Sequence, residues 1–428
     1  MKKSSLNTIS VIGLGYIGLP TAAMFASRQK RVIGVDINQC AVDTINRGEI
    51  HIVEPELDMI VHAAVTEGYL RATTRAEAAD AFLIAVPTPF KRNHEPDLTY
   101  VRSAAESIAP VLASGNIVIL ESTSPVGTTE QMVEWLAAAR PDLRFPTPGS
   151  EGEVDVHVAY CPERVLPGHV VRELVDNDRI IGGLTEACSQ RAAEVYRIFV
   201  TGDLLFSNAR TAEMSKLTEN AFRDVNIAFA NELSLICDKL DINVWQLIQL
   251  ANRHPRVNIL QPGAGVGGHC IAVDPWFIVD KTPEQAPLIR MAREVNDGKP
   301  RWVLGQIRGA IDRKVAAGTP EDQVKVAVLG LAFKPNIDDL RESPALHIAE
   351  QLAGSTSARL LVVEPNVLAL PRSLQDYPLV ELEEALQGAD VVAVLVAHKE
   401  FQGLREQLAP AQEVVDAVGI SLERRKGS

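Results

Sequence analysis

The stretch Thr8-Ile-Ser-Val-Ile-Gly13-Leu-Gly15-Tyr-Ile-Gly18-Leu-Pro-Thr-Ala-Ala-Met-Phe-Ala26 has the pattern of a strand, a glycine turn and a helix. A β-branched run precedes the Gly-x-Gly-x-x-Gly turn, and an alanine-rich helical pattern follows it. Val32-Ile-Gly-Val-Asp36 then supplies a second strand that ends in an acid. This order of elements is typical of a doubly wound α/β sheet that binds a dinucleotide.

The glycine turn and the acid predict how such a cofactor would be held. Gly13, Gly15 and Gly18 allow a pyrophosphate to approach the helix N-terminus, where unpaired N–H groups and the helix dipole favour anions. Asp36 lies 18 residues after Gly18, close to the ~20 expected for a carboxylate that binds the ribose hydroxyls. An acid at this position favours NAD over NADP.

Polar residues follow several further apolar runs of strand length. The runs are residues 81–86, 117–120 and 156–160. The polar residues that follow them are Thr88, Thr123, Glu163 and Arg164. Because ligands of a parallel sheet bind at the carboxyl ends of its strands, we expect these side chains to line the cofactor crevice. A turn or helix-capping role is the alternative, and it applies most to Thr123 and Thr129.

A second glycine cluster, Gly263-Ala-Gly-Val-Gly-Gly-His-Cys270-Ile-Ala-Val-Asp274, carries a thiol. Glycines in this number suggest a loop wrapped around a ligand. A thiol acts as a nucleophile only as thiolate, so a reactive Cys270 needs a polar, partly open setting. The stretch alone leaves two interpretations open, because free cysteines are more often buried and inert.

Residues 208–239 contain neither Pro nor Gly and have a helical pattern. Lys216, Asn220 and Arg223 follow one another at i, i+4 and i+7 and therefore share one helix face. Apolar residues surround much of this helix, so we expect this polar stripe to be buried against an anionic or polar partner. A solvated charged face is the alternative.

Strand patterns return after a charged connection at residues 313–323 and predict a second Rossmann-like unit without a Gly-x-Gly-x-x-Gly turn. We expect this unit to bind a different phosphate ligand through Lys334 and Arg341, although a solvated loop would explain the same residues. The predicted fold class is α/β, with two Rossmann-like parallel-sheet domains joined by a long central helical region. The predicted bounds are 1–207, 208–312 and 313–428.

Composition excludes several classes of protein. A net charge of −13 argues against nucleic acid as a partner. The five cysteines are widely spaced and fit neither a disulfide framework nor a zinc site, so no metal is expected. No apolar run approaches the ~18 residues of a membrane span, and no signal peptide is apparent. These features predict a cytoplasmic protein.

The motifs occur in an order that resembles the UDP-glucose/GDP-mannose dehydrogenase family. They lie at residues 13–20, 46–55, 86–89, 121–127, 161–164, 216–220, 267–270, 333–334 and 340–343 and cover nearly the whole chain. Residues 253–263 and 267–279 are similar to the branch that oxidises UDP-N-acetyl-D-mannosamine. His269 stands where the UDP-glucose branch typically has Ser, which favours a 2-acetamido sugar.

The resemblance implies a four-electron oxidation of a sugar C6 alcohol to a carboxylate, for surface polysaccharide biosynthesis. Two NAD and one water would be consumed, and Cys270 would carry a thiohemiacetal and then a thioester. UDP-N-acetylglucosamine or UDP-glucose is the alternative substrate, because sequence does not resolve an epimer. A non-catalytic sugar-nucleotide-binding protein is the alternative of another class; the combination of Cys270, Lys216, Asn220 and Asp274 argues against it.

The resemblance also implies residue roles. Lys216 would be a general acid/base or oxyanion stabiliser assisted by Asn220. Asp274 would orient the hydrolytic water with support from Thr123, and Glu163 would assist proton transfer. Sugar-nucleotide contacts are expected at Arg164, Val165, Lys216, Asn220, Arg223, His254, Arg256, Gly267, Phe333, Lys334 and Arg341. NAD contacts are expected at Gly13, Gly15, Tyr16, Ile17, Gly18, Asp36, Thr88 and Thr129. A homodimer is implied too, with either His254 or Arg256 reaching across its interface.

Overall fold

The computed structural model describes residues 6–52, 54–149, 152–166, 168–268 and 270–420. The chain forms two compact units. Unit 1 comprises Met1–Glu219 with Trp276–Thr282, and unit 2 comprises Asn220–Pro275 with Pro283–Ser428. The three domains expected from the sequence remain a prediction. Among the helices in the described ranges, none combines the length and hydrophobicity that crossing a bilayer would require.

Unit 1 is built on an eight-stranded sheet in the order β3-β2-β1-β4-β5-β6-β7-β8. Its strands and helices are β1 (Thr8–Ile12), α1 (Gly18–Ser27), β2 (Arg31–Val35), α2 (Gln39–Asn46), α3 (Leu57–Thr66), β3 (Leu70–Thr73), β4 (Ala81–Ile84), α4 (Thr99–Ile108), β5 (Asn116–Leu120), α5 (Thr128–Ala139), β6 (Val156–Tyr160), α6 (Val170–Asp176), β7 (Arg179–Gly183), α7 (Glu186–Tyr196) and β8 (Leu204–Asn208). Strands β6 and β7 are antiparallel, and the other neighbouring pairs are parallel. The order reverses between β1 and β4, which is where ligands of such sheets bind.

Helices cover both faces of this sheet because its strands are apolar on both sides. Val32 joins the cluster that holds Phe25 of α1, whereas the next residue, Ile33, joins the cluster that holds Val101 of α4. Helices α1, α3, α6 and α7 contribute to the first cluster, and α4 and α5 contribute to the second. Burial of a side chain such as Phe25 stabilises the fold by roughly 1.5–3 kcal/mol.

Unit 2 contains a four-stranded parallel sheet in the order β10-β9-β11-β12. Helix α8 (Ala209–Lys239) begins in unit 1 and ends in unit 2, and α10 (Asp274–Lys281) lies across the same division. The remaining elements are α9 (Val244–Ala251), α11 (Pro287–Ala316), β9 (Lys325–Leu329), α12 (Pro344–Ala353), β10 (Arg359–Val363), α13 (Leu382–Leu386), β11 (Val391–Val394), α14 (Leu404–Gln407) and β12 (Glu413–Asp416). Helices α11 and α12 pack on one face of the sheet, and α13 and α14 pack on the other.

The two parallel sheets confirm the predicted fold class, and α8 begins within one residue of its predicted start. The expected connection at 313–323 is partly wrong, because α11 continues to Ala316 and includes the first part of that segment. Strands β3, β7 and β8 were not predicted.

Candidate active site

The turn after β1 has the shape of a pyrophosphate site. A Cβ placed on Gly15 would meet no atom within 4 Å, so the space beside this backbone is open. Helix α1 begins immediately afterwards, and its N-cap residue, Ile17, makes no side-chain capping bond. Within this first turn Pro20 has no N–H, and the N–H groups of Leu19 and Thr21 donate to the Gly15 and Ile17 carbonyls. An anion would therefore be held by the N–H groups that precede Leu19. Tyr16 in the same turn is exposed.

Asp36 fixes the glycine turn through two backbone contacts. Its Oδ2 accepts the Leu14 N–H at 2.9 Å, and its Oδ1 accepts the Asn38 N–H at 2.9 Å. A carboxylate has about four acceptor positions, so each oxygen can still accept a ribose hydroxyl. The open turn and this acid fit NAD.

Two of the predicted threonines lie together at the ends of β4 and β5. The Thr88 hydroxyl donates to the Thr123 carbonyl at 2.5 Å. Thr129 has a different setting, because it is fully buried and gives its N–H and its hydroxyl to Glu213 of α8. Its contact with NAD remains a prediction, and Glu213 is a partner that the sequence did not indicate.

Glu163 follows β6 and is almost completely buried. Its Oε1 accepts the Arg164 N–H at 2.7 Å, and its Oε2 pairs with Arg179 of β7. The Arg164 guanidinium forms an ion pair with Glu219 at 2.8 Å, and Val165 packs against the core. Sequence reasoning missed Arg179 because β7 itself was not recognised.

Cys270 and Cys40 are exposed, whereas Cys161, Cys188 and Cys237 are buried. The Cys270 carbonyl accepts the N–H groups of Val273 and Asp274 at 3.0 and 2.8 Å, which forms the turn that leads into α10. An exposed thiol fits the nucleophile interpretation better than the inert one. By contrast, burial raises the pKa of the Cys161 thiol to about 12. His269 lies outside the described residues.

The glycines before Cys270 have a structural cause within unit 2. A Cβ on Gly267 would lie 2.3 Å from the Glu342 carbonyl oxygen, so only glycine allows the loop to lie against this backbone. The Gly263 N–H donates to Asn231 Oδ1 of α8 at 2.9 Å. The expectation that these glycines reflect a ligand is therefore incomplete, because close packing alone requires Gly267.

The stripe on α8 is less buried than expected. Lys216 and Asn220 are half-buried, but Arg223 is exposed. The buried polar residues of α8 are instead Glu213, Asp224, Asn231 and Ser234. Of these, Asp224 and Asn231 form hydrogen bonds with Arg293 and Asn296 of α11. The prediction that the polar stripe of α8 is buried was therefore wrong for Arg223.

Asn220 and Asp274 are brought together despite their separation in sequence. The Asn220 side-chain amide donates to Asp274 Oδ2 at 2.5 Å, and Asp274 is buried. Asp274 is also the first residue of α10, where a negative charge is favoured by the helix dipole. This contact connects the helix that carries Lys216 to the turn that carries Cys270.

In unit 2 the predicted phosphate contacts follow β9. Phe333 and Lys334 are half-buried, and Arg341 is exposed. The Arg341 guanidinium forms two hydrogen bonds with Asp339, at 2.9 and 2.7 Å.

His254 and Arg256 are exposed, and the Arg256 N–H donates to His254 Nδ1 at 3.3 Å. That one of these two residues reaches across a dimer interface remains a prediction.

Glu364 follows β10 at the position that Asp36 holds after β2. Its Oε2 accepts the Leu331 and Ala332 N–H groups at 2.7 and 3.0 Å and contacts His398 Nε2 at 3.1 Å. Burial raises the pKa of Glu364, but the hydrogen bonds from His398 and Leu331 outweigh it and lower the pKa to about 2. The acceptor positions of Glu364 Oε2 are therefore taken by groups of the protein. This is a physical reason why Glu364 would not bind a ribose and why the second sheet would not hold a second dinucleotide.

Comparison with protein families assigns all three parts of the chain. Residues 7–200, 210–298 and 327–421 match the NAD binding domain, the central domain and the UDP binding domain of one family. The chain belongs to the UDP-glucose/GDP-mannose dehydrogenase family. It is an NAD-dependent UDP-sugar dehydrogenase, which confirms the predictions of family, enzyme class and cofactor.

Members of this family resemble the chain over almost its full length. UDP-N-acetyl-D-mannosamine dehydrogenase of Escherichia coli strain K12 is 65% identical over 97% of this chain and 99% of its own. An NDP-N-acetyl-D-galactosaminuronic acid dehydrogenase of Ralstonia nicotianae is 61% identical over 98% and 97% of the two chains. The solved structure of a UDP-D-ManNAc dehydrogenase from Pyrococcus horikoshii has a TM-score of 0.86 at 40% identity, over 98% and 97%.

Proposed function

We propose that the protein oxidises UDP-N-acetyl-D-mannosamine at C6 to UDP-N-acetyl-D-mannosaminuronate, for surface polysaccharide biosynthesis. The Asn220–Asp274 hydrogen bond carries this proposal, because it joins two residues of the expected catalytic set. The 65% identical relative from Escherichia coli supports the choice of sugar. We also propose a cytoplasmic location, since the reaction needs Cys270 as a reduced thiol.

Lys216 and Asn220 act in the first oxidation. Residues 13–18 and Asp36 would hold NAD, which would supply the hydride acceptor for both oxidations. Lys216 removes the proton of the C6 hydroxyl, and the amide of Asn220 donates a hydrogen bond to the developing oxyanion. The product of this step is an aldehyde at C6.

Cys270 then attacks the aldehyde carbon and forms a thiohemiacetal. Loss of the second hydride, together with the proton of the adduct's hydroxyl, converts this adduct to a thioester. Asp274 and Thr123 orient a water molecule, and Glu163 accepts one of its protons while the oxygen adds to the thioester carbon. The C–S bond breaks, Cys270 leaves as thiolate, and the sugar is released as a carboxylate.

Removal of the thiol tests the covalent route. Cys270→Ala should abolish uronate formation and leave the affinity for UDP-sugar and NAD largely unchanged. Mass spectrometry should detect an acyl adduct on the tryptic peptide that contains Cys270 in the wild-type protein only. Uronate formation at the normal rate by Cys270→Ala would rule out the thioester.

The sugar is tested with purified protein, NAD and each epimeric UDP-N-acetylhexosamine. NADH should form fastest with the manno epimer. Faster NADH formation with the gluco epimer or the galacto epimer would overturn our choice of substrate. The galacto epimer is included in the assay because of the 61% identical relative from Ralstonia. Nucleotide binding without any NADH would instead support a non-catalytic binding protein.

We also propose that the protein is a homodimer that uses α8. Phe222, Phe229 and Ile236 recur every seven residues along this helix and are 70%, 50% and 46% exposed. A spacing of seven places them on one face of the helix, and exposed apolar stripes of this kind are typical of protein interfaces. Arg223 lies beside this stripe and is also exposed in the single chain.

A further inference from the structure

A buried charge cluster lies at the carboxyl ends of the central strands of unit 1. Glu121 follows β5, Glu163 follows β6 and Arg179 begins β7; they are 2%, 8% and 3% exposed. One guanidinium nitrogen of Arg179 lies 3.3 Å from Glu121 Oε1, and the other pairs with Glu163 Oε2. A single cation therefore serves two carboxylates, and the cluster carries an excess negative charge when both are ionised.

Four titratable groups face Glu121 from three directions. Arg179 contacts it from β7, Glu163 and Cys161 lie after β6, and the Tyr196 hydroxyl of α7 donates to Glu121 Oε1 at 2.6 Å. Among the described residues, Glu121 Oε2 has no hydrogen-bond partner although it is buried. An unpartnered buried oxygen disfavours the ionised carboxylate.

Glu121 is the member of the cluster that changes charge near neutral pH. Burial raises its pKa to about 7, against the opposing effect of Arg179. Burial also raises the pKa of the Tyr196 hydroxyl well above its usual range, so this group stays neutral. Burial alone would lower the pKa of Arg179, but attraction to Glu163 raises it, so the guanidinium stays charged.

We propose that Glu121 is a positioning residue that sets the strength of Glu163 as a base through the arginine they share. The proposal rests on the proposed role of Glu163 in thioester hydrolysis. When Glu121 is protonated, Arg179 pairs with Glu163 alone and weakens it as a base. When Glu121 is ionised, the guanidinium is shared and a second negative charge lies nearby, so Glu163 takes the proton of the attacking water more readily.

The proton balance of the step is unchanged by this arrangement. Water gives one proton to the Glu163 carboxylate as its oxygen bonds to the C6 carbon, and the C–S bond breaks to release the Cys270 thiolate. Glu163 afterwards returns its proton to solvent. Glu121 does not touch the reacting atoms; its charge changes only how firmly Arg179 holds Glu163.

The test measures thioester hydrolysis alone, in a single turnover with protein in excess. Rapid quenching and intact-protein mass spectrometry follow decay of the acyl-enzyme at several pH values. In the wild-type protein the rate constant should rise with pH through about 7. Glu121→Gln should lose this rise and hydrolyse roughly three- to tenfold more slowly at about pH 8. The first NADH formed should appear at the wild-type rate.

A second variant keeps the test decisive if Glu121→Gln does not fold. Tyr196→Phe removes a hydrogen bond that favours the ionised form of Glu121, so the rise in rate should move to higher pH. Tyr377→Phe is the matched control, because Tyr377 donates to the Ala353 carbonyl in unit 2. This control should keep the wild-type profile. A wild-type pH profile in both Glu121→Gln and Tyr196→Phe, or in Tyr196→Phe alone if the other does not fold, would overturn the proposal.

Glu163→Gln separates failure of this proposal from failure of the proposed function. If Glu163→Gln accumulates acyl-enzyme while the Glu121 and Tyr196 variants keep the wild-type profile, only the inference about Glu121 is wrong. If Glu163→Gln hydrolyses the thioester at the normal rate, the role of Glu163 is wrong and the inference about Glu121 falls with it.

Discussion

The carboxylate of Glu213 accepts both the N–H and the hydroxyl of Thr129, at 2.8 and 2.6 Å. Its other oxygen accepts the Gly127 N–H at 2.7 Å. Helix α5 starts after Gly127, which has no side chain to cap the helix. Glu213 therefore accepts two of the backbone N–H groups at the start of α5 from another helix, those of Gly127 and Thr129, and its charge is favourable at a helix N-terminus.

Thr129→Val should lower the free energy of unfolding by about 1.5–3 kcal/mol, because a buried carboxylate loses a hydrogen-bond donor. If Thr129 serves the fold alone, the KM for NAD should stay within twofold of the wild-type value. Thr128→Val is the control: it removes a bond to the neutral Pro125 carbonyl and should cost only about 0.5–1.5 kcal/mol. Urea denaturation and NADH kinetics measure both effects. An unchanged stability with a large rise in KM would identify Thr129 as an NAD contact instead.

The exposed stripe on α8 gives a prediction for oligomeric state. Phe229→Asp should convert the dimer to a monomer, because a charge would be buried without a partner in the interface. Light scattering after size-exclusion chromatography should show the mass of one chain. Leu368→Asp is the matched control, since Leu368 is fully exposed and is not part of α8. The mass of this variant should equal that of the wild type. An equal mass for both variants would argue against this interface.

Features encoded by neighbouring residues could be predicted from the sequence. The glycine turn with Asp36 gave the first strands of unit 1, and a run without Gly or Pro gave α8 almost to the residue. Helix α11 was missed because Gly298 and Pro300 lie inside it and usually end helices. The long helix persists because its buried face packs in the core of unit 2, which no local pattern displays.

Partners that are distant in sequence could not be predicted. Glu213 lies 84 residues from Thr129, and Asn231 lies 32 residues from Gly263. In the sequence, each of these polar residues fits an ordinary exposed position on a helix. Only the tertiary fold brings a backbone N–H group beside it. Arg179 is a similar case, since only the pairing of β6 with β7 brings it to Glu163.

Asn231 leads to a prediction about the cysteine loop. Its Oδ1 accepts the Gly263 N–H at 2.9 Å, and its amide donates to Asn296 Oδ1 of α11 at 2.9 Å. Asn231→Ala should increase hydrogen exchange in residues 263–268 and raise the KM for the UDP-sugar more than that for NAD. The cost in stability should be about 1–3 kcal/mol.

Asn226→Ala provides the comparison for this variant. Asn226 lies on the same helix, but its amide donates to the Phe222 carbonyl within α8. Its removal should leave exchange in the cysteine loop unchanged. Equal exchange in the two variants would show that Asn231 does not hold the loop.

Glu364, the acid that follows β10 in the second sheet, leads to a prediction about stability over a defined pH range. Glu364 has a pKa of about 2 in the folded protein, against 4.5 as its ordinary value. A lowered pKa contributes stability that is present above pH 4.5 and is lost as the pH falls toward 2, because the folded carboxylate must then be protonated. Glu364→Gln should therefore lower the free energy of unfolding by roughly 3–4 kcal/mol at neutral pH. Its difference from the wild type should shrink as the pH falls below 4.5.

Urea denaturation at several pH values measures this effect, and the chain supplies a control in the same sheet. Glu413 of β12 forms an exposed pair with Arg313, so Glu413→Gln should cost less than about 1 kcal/mol. The Leu331 and Ala332 N–H groups that Glu364 holds directly precede Phe333 and Lys334. Glu364→Gln should therefore also weaken UDP binding while NAD binding is unchanged. A pH-independent difference from the wild type would show that Glu364 stabilises the sheet by packing and not by its charge.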